Sequence, residues 1–190
     1  MTRFAATGFR AFLGALALSF FLLPVGAAHA KDDAAKIDAG VDAALQKFKQ
    51  DVKGADEYLA SAKGVLVMPD VKKIGLVVGA QWGKGALRID GKSVDYYKME
   101  AGSAGFQAGY QKANFVFLFL TQESLDNFRA SSGWGAGVEA GITVVDASTP
   151  TMSASTQKSK SSIVAFAFGK EGLMGGWSAK GTKVTKLKFD

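Results

Sequence analysis

Hydrophobic residues follow a helical spacing near the start of this chain and a strand-like pattern after it. Between residues 34 and 50, apolar side chains recur every three or four positions: Ile37, Val41, Ala44, Leu45 and Phe48. This spacing predicts an amphipathic helix with one apolar stripe. Gly54 ends the segment, and residues 55–62 predict a short second helix. The first helix is expected either to cover its own domain or to lie in a membrane interface.

From residue 64 the pattern changes to short apolar runs separated by turn residues. Residues 115–120 are apolar on both faces, so that strand must be covered on both sides in a soluble protein. Thr121 is predicted to cap a third helix that ends near Ser131. Residues 146–162 are polar and predict a loop. The predicted strands are 65–68, 74–82, 86–89, 94–99, 103–110, 113–120, 135–145, 163–168, 173–179 and 184–189.

The number and spacing of these strands predict a mainly β protein with helices, of the α+β class. Roughly eight to ten short strands at even spacing favour a barrel or sandwich. Repeated glycines within strands favour tight bends. We therefore expect a small β-barrel core with about three helices packed on its outside. Asp90-Gly91 predicts a tight hairpin between two of its strands.

The first thirty residues have the pattern of a cleavable signal peptide. Arg3 and Arg10 provide a positive region, residues 11–25 are apolar and uncharged, and Ala28-His29-Ala30 is a small-x-small cleavage site. A bilayer span needs about 20 apolar residues, more than this stretch supplies. We expect residues 31–190 to form a single exported domain in the periplasm or cell envelope. An uncleaved membrane anchor is the alternative.

The absence of two residue types restricts the chemistry of the exported domain. The chain has no cysteine, and its one histidine, His29, lies in the predicted leader. This excludes Ser-His-Asp and Cys-His nucleophilic sites, Cys/His zinc sites and haem with the usual ligands. We expect no catalytic residues, no cofactor and no metal. A glycosidase needs only two placed carboxylates and remains an alternative, although no spacing singles out a pair.

Positive charge is concentrated in the last quarter of the chain. The whole chain carries a formal net charge of +6. After residue 146 only Glu171 and Asp190 oppose a set of lysines: Lys158, Lys160, Lys170, Lys180, Lys183, Lys186 and Lys188. Such an asymmetry suggests an anionic partner. Outside the cytoplasm we expect phospholipid rather than nucleic acid, although a lysine-rich surface can also serve solubility alone.

Several stretches resemble the SYLF domain family, in order and over residues 34–189. The matching segments are 62–75 (AKGVLVMPDVKKIG), 83–87, 117–121, 128–134 and the glycine-rich 169–176. The resemblance implies a lipid-binding module built as a β-barrel with packed helices. It also implies binding of phosphoinositides or actin, as in eukaryotic members. An exported protein would ordinarily meet neither, so we expect binding of anionic lipid with the headgroup left open.

Lysines near turns and in the polar loop are the predicted lipid ligands, because a flexible ammonium acts as a point charge for phosphate. The candidates are Lys72, Lys73, Lys158, Lys160, Lys170 and Lys183. Trp82 is a candidate interface anchor, whereas Trp134 and Trp177 are expected in the core. Two other architectures stay open, an eight-stranded outer-membrane barrel and a soluble barrel that carries an apolar ligand.

Overall fold

A computed structural model of the chain describes residues 25–75, 78–104, 109–136, 142–146, 161–172 and 181–189. Its helices are α1 (Val25–Asp51), α2 (Ala55–Ser61) and α3 (Gln122–Ala130). Its strands are β1 (Gly64–Gly75), β2 (Val78–Ile89), β3 (Lys92–Ala104), β4 (Gly109–Phe119), β5 (Trp134–Ala136), β6 (Ile142–Asp146), β7 (Ile163–Gly172) and β8 (Thr182–Lys186). The predicted α+β class is confirmed.

The eight strands form one sheet in the order β5-β8-β3-β2-β1-β4-β7-β6. Only the β6–β7 pair is parallel among the strand pairs of the described residues. Strands β2 and β3 form the predicted hairpin, in which Asp90 and Gly91 both have positive φ angles of 51° and 76°. Positive φ at both central residues is the requirement of a type I′ turn, which favours Asp-Gly.

All three helices form where the sequence predicted them. The first begins earlier than expected, at Val25, and continues to Asp51. The second covers Ala55–Ser61. The third follows Thr121, whose side chain accepts a hydrogen bond from the backbone N–H of Ser124 at 3.2 Å. That bond satisfies one of the free amide groups at the helix start, as expected of an N-cap threonine.

Strand β1 corrects the prediction that a strand ends at Pro69-Asp70. The strand continues to Gly75, because Asp70 takes a left-handed conformation (φ 47°) and the pairing register shifts around it. The Asp70 amide donates to the side-chain oxygen of Asn114 at 3.0 Å, which replaces a ladder bond. Turn residues thus produced a β-bulge within a strand. The predicted strand 74–82 is also wrong, since β1 ends at Gly75 and β2 begins at Val78.

Two other predicted strands are divided between separate elements. The run 103–110 contains the end of β3 and the start of β4, and 135–145 contains parts of β5 and β6, which are the two edges of the sheet. In both segments the alternating, glycine-rich pattern continues without a turn signal, so the sequence did not show where one strand ends and the next begins. The last strand ends at Lys186 rather than at residue 189. The predicted strand 173–179 and most of the polar loop lie outside the described residues.

The sheet is strongly curled into a half-barrel. In a flat sheet the five strand steps from β4 to β5 would separate them by about 24 Å, at about 4.8 Å per step. Instead, the Trp134 ring on β5 lies 5.7 Å from the Phe117 ring and 6.0 Å from the Phe119 ring on β4. These rings touch only if they point into the concave side of a curved sheet. The barrel-like architecture is therefore confirmed.

Each face of the sheet has its own hydrophobic cluster. Phe115, Phe117 and Phe119 point into the concave cluster, which α3 completes with Leu125 and Phe128. Alternate residues of the same strand, Val116 and Leu118, join the outer cluster beneath α1 and α2. The prediction that this strand is covered on both sides is confirmed. Trp134 is 9% exposed and belongs to the concave core, as predicted.

Helix α1 lies on the outer face of the sheet. Its apolar stripe is buried there, and the ring of the fully buried Phe48 lies 5.2 Å from that of Phe166 and 5.3 Å from that of Phe168. Polar contacts hold the middle of the helix, since the Arg88 guanidinium lies 2.8 Å from Asp42 and the Tyr96 hydroxyl donates to Asp38 at 2.8 Å. No helix in the described part of the chain is long and apolar enough to cross a membrane.

Candidate functional site

Helices α1 and α2 cover only part of the outer sheet surface. Their contacts reach the section of the sheet around Val67, Ala86, Val116 and Phe166. We call the remaining section the uncovered face. It is formed by Lys72, Ile74, Trp82, Lys84, Lys98, Glu100, Tyr110, Lys112 and Lys183.

Strand register places five of these residues in a single row across five strands. Lys183 pairs with Glu100, Glu100 with Trp82, Trp82 with Lys72, and Lys72 with Lys112. Directly paired residues project from the same side of a sheet. The row therefore forms one continuous strip of surface built from distant parts of the chain.

Burial of the neighbouring residues shows that this row points outward. Val71, Met99 and Ala113, each adjacent in sequence to a row residue, are buried in the concave cluster. Because side chains alternate along a strand, the row must lie on the opposite, outer side. Lys72, Trp82 and the other members of the row accordingly face away from the concave core.

Exposed apolar side chains are concentrated on the uncovered face. Ile74 is 44% exposed, Trp82 39% and Tyr110 50%. Ile74 and Tyr110 are direct cross-strand partners, and Ile74 follows Lys72 on the same side of β1. Among the residues that the structure describes, only Val94 is another large hydrophobic residue of comparable exposure. Three of four such side chains thus share one surface.

The charges of this face leave an excess of unpaired lysine. Lys98 pairs with Glu100 at 2.9 Å, and Lys112 contacts Asp70 at 3.2 Å and Glu171 at 3.3 Å. Hydrogen bonding to Asp70, and the charges of both carboxylates, raise the pKa of Lys112. Within the described ranges, Lys72, Lys84 and Lys183 have no acidic partner. Their ammonium groups are therefore available to an external anion.

Two shallow grooves flank the Trp82 side chain. The first, of about 340 Å³, is lined by Lys72, Lys84 and Lys98 together with Glu100. The second, of about 400 Å³, shares Trp82 and Glu100 with the first and reaches Lys183. Each groove combines an aromatic wall with at least one unpaired lysine.

The structure brings together some of the predicted lysines and separates others. Lys72 and Lys183 lie in the same row, but Lys73 points to the opposite, concave side, because it follows Lys72 along β1. Lys170 was predicted in a turn; it lies instead within β7, partly buried, beside a register irregularity. Lys158 and Lys160 lie outside the described residues, as does Trp177.

Several residues of the uncovered face were not predicted. Lys84, Lys98, Lys112, Ile74 and Tyr110 belong to it, although only Trp82 had been considered as an interface residue. Their alternation with small or buried neighbours was visible in the sequence, as in Gly83-Lys84-Gly85. The sequence did not reveal the order of the strands in the sheet. Because β4 pairs with β1 rather than with β3, residues far apart in the chain lie side by side on this face. No three carboxylates of the described ranges lie close enough together to hold a metal ion.

Comparison with known families supports the sequence resemblance. Residues 100–188 match the family model described as Ysc84: Las17-binding protein actin regulator. This match agrees with the resemblance to the SYLF domain family that the sequence shows over residues 34–189. The description of that model names actin regulation, whereas lipid binding is what the resemblance to the SYLF domain family implies. The matched region contributes Glu100, Tyr110, Lys112 and Lys183 to the uncovered face, whereas Lys72 and Trp82 precede it. No curated protein matches the chain significantly.

Proposed function

We propose that this chain is a non-enzymatic lipid-binding protein of the cell envelope. It binds anionic phospholipid, including phosphoinositide-type headgroups, weakly and electrostatically through surface lysines. The observation that carries the proposal is a set of lysines on one face of the sheet that have no acidic partner within the described ranges, Lys72, Lys84 and Lys183. The match of residues 100–188 to the Ysc84 family model supports it, together with the resemblance to the SYLF domain family, which implies lipid binding.

The strength of binding follows from the number of free cations. Each lysine near an anionic membrane contributes about 1 kcal/mol, so three contribute about 3 kcal/mol, or roughly 150-fold in affinity. Lys98 and Lys112 add less, because Lys98 already contacts Glu100 and Lys112 already contacts Asp70 and Glu171. Attraction of this size is weak and sensitive to salt. Because lysine acts as a point charge, we expect preference to follow headgroup charge more than headgroup shape.

The proposed location rests on the first thirty residues. Their charged start, apolar stretch and Ala28-His29-Ala30 site fit cleavage and export to the periplasm or envelope. Export also takes the protein away from actin, so the proposal adopts only the lipid-binding property of the family. Loss of His29 with the leader leaves the domain without histidine or cysteine, which supports a role without catalysis.

Co-sedimentation with vesicles tests the proposed function. The exported protein, residues 31–190, is mixed with vesicles of neutral or acidic phospholipid at low and at high salt. We expect more protein to pellet with acidic than with neutral vesicles at low salt, and added salt to weaken the binding. Protein that stays in the supernatant under every condition would contradict direct lipid binding. A retained apolar adduct in native mass spectrometry would instead favour the ligand-carrying barrel.

A further inference from the structure

We infer that the uncovered face docks onto the bilayer with its apolar side chains inserted, so that binding has a hydrophobic component in addition to the electrostatic one. Ile74, Trp82 and Tyr110 enter the boundary between headgroups and acyl chains, and the surrounding lysines contact lipid phosphates. This inference rests on the proposed function and specifies the surface and orientation of binding.

The exposed apolar side chains are the first observation behind this inference. Trp82 pairs directly with Lys72, and Ile74, two residues further along β1, pairs with Tyr110. The three side chains therefore lie on adjacent positions of three neighbouring strands. An exposed apolar cluster rimmed by polar groups marks an interaction surface. Tryptophan and tyrosine in particular favour the membrane interface, since each has an apolar ring and a polar group.

The distribution of charge identifies a membrane as the occupant. Every carboxylate around the face in the described part of the chain, namely Asp70, Glu100 and Glu171, already contacts a lysine of that face. Among the residues that the structure describes, the ionic groups left without a partner there are all cationic, namely Lys72, Lys84 and Lys183. An apolar centre with a cationic surround complements a layer of anionic phosphates over acyl chains. It does not complement a second copy of the same cationic surface.

The two grooves give the lipid headgroups a place beside the inserted ring. One groove holds Lys72 and Lys84 on one side of Trp82, and the other reaches Lys183 on its far side. With the Trp82 ring below the headgroup plane, a phosphate on either side comes within reach of a lysine. The ring and the cations therefore act on the same lipids.

This arrangement predicts that binding has an electrostatic and a hydrophobic component, which can be distinguished by their response to salt. Attraction between lysine and phosphate weakens as ionic strength rises, whereas transfer of apolar surface from water does not weaken in this way. We expect a fraction of the binding to acidic vesicles to survive high salt. Trp82→Ala should weaken that salt-resistant binding roughly tenfold, the effect of losing most of one buried aromatic side chain. Val94→Ala, at a position of similar exposure elsewhere, should leave it unchanged.

A pair of single-cysteine variants tests the orientation directly. The chain has no cysteine, so one introduced thiol can be labelled uniquely with an environment-sensitive fluorophore. Ile74→Cys places the label on the uncovered face. Val94→Cys is the matched control, because both residues are β-branched and they are 44% and 42% exposed. The labelled proteins are titrated with acidic vesicles that do or do not carry a quencher attached to the acyl chains.

We expect the label at position 74 to brighten severalfold, shift to the blue and be quenched from within the bilayer, while the label at position 94 stays unchanged. Vesicle pelleting without a response at position 74, or with a response at position 94 instead, overturns this inference and leaves the proposed function standing. A response at position 74 that appears without vesicles, as the protein concentration rises, would assign the face to self-association and also overturn it. Failure of the unlabelled protein to pellet at all removes the proposed function itself.

Discussion

Replacing Phe48 with alanine distinguishes a helix that covers the sheet from a helix that inserts in a membrane. Phe48 is fully buried between α1 and the outer face, with its ring 5.2 Å from that of Phe166 and 5.3 Å from that of Phe168. If α1 belongs to the fold, this change should destabilise the protein and leave membrane affinity nearly unaltered at temperatures well below unfolding.

The expected loss follows from the lost side chain and its contacts. Truncation of a buried phenylalanine to alanine costs about 3–5 kcal/mol, including the cavity that remains. The tilted and edge-on ring contacts account for about 0.5–1.5 kcal/mol each within that figure. In a domain of about 150–250 residues, 1 kcal/mol shifts Tm by about 2–4 °C. We therefore expect Tm to fall by about 10 °C.

Thermal and urea unfolding followed by circular dichroism measure this loss. Gln46→Ala is the matched control, since Gln46 lies on the exposed side of the same helix and its change should stay within about 0.5 kcal/mol. Vesicle pelleting of the folded Phe48→Ala protein completes the comparison. A loss of less than about 1 kcal/mol together with loss of vesicle binding would refute the packing argument and identify α1 as the membrane element.

Three further predictions concern the half-barrel. Burial raises the pKa of the Tyr97 phenol from 10.0 to about 12, and the negative charge of Asp95 is the second cause. The tyrosine therefore ionises at lower pH in the unfolded chain than in the folded one, so the free energy of unfolding falls as pH rises from about 10 to 12. Tyr97→Phe should remove this part of the pH dependence in urea titrations. Gly85→Ala should unfold the domain or lower its stability by more than 3 kcal/mol, because the new methyl group collides with the Val67 carbonyl oxygen. Calorimetry of Gly102→Ala, where that space is open, should show a much smaller change. Thr182→Val should raise stability by about 1 kcal/mol in thermal unfolding, because the buried Thr182 hydroxyl has no hydrogen-bond partner among the described residues.

The sequence predicted those helices, strands and turns that depend mainly on residues close together in the chain. The stripe from Ile37 to Phe48 marked α1, the cap at Thr121 marked α3, and the two-sided apolar run of β4 required cover on both faces. Asp90-Gly91 marked its hairpin because few other residues accept positive φ. Each of these depends on contacts or dihedral preferences within a short segment.

Features set by long-range pairing were not predictable from a single sequence. Pro69-Asp70 resembles a turn, but the partner strand β4 holds it as a bulge through Asn114, which is 44 residues away. The candidate site depends on the same kind of information. Lys72 and Lys183 share a row only because β1, β2, β3 and β8 are neighbours in the sheet. Lys73 lies on the other side of the sheet because successive side chains along a strand point in opposite directions.

Two triple charge reversals, compared in vesicle binding, test most directly whether the uncovered face binds lipid. The face variant carries three substitutions on the uncovered face, Lys72→Glu, Lys84→Glu and Lys183→Glu. The control variant changes the net charge by the same amount at exposed lysines elsewhere, through Lys36→Glu, Lys53→Glu and Lys92→Glu. Circular dichroism first confirms that both proteins are folded.

At low salt with acidic vesicles, we expect the face variant to lose at least roughly 100-fold in affinity, because three cations that contribute about 1 kcal/mol each are replaced by anions. The control should keep most of its binding. Equal losses in the two variants would contradict binding through the uncovered face, because affinity would then follow the net charge of the protein.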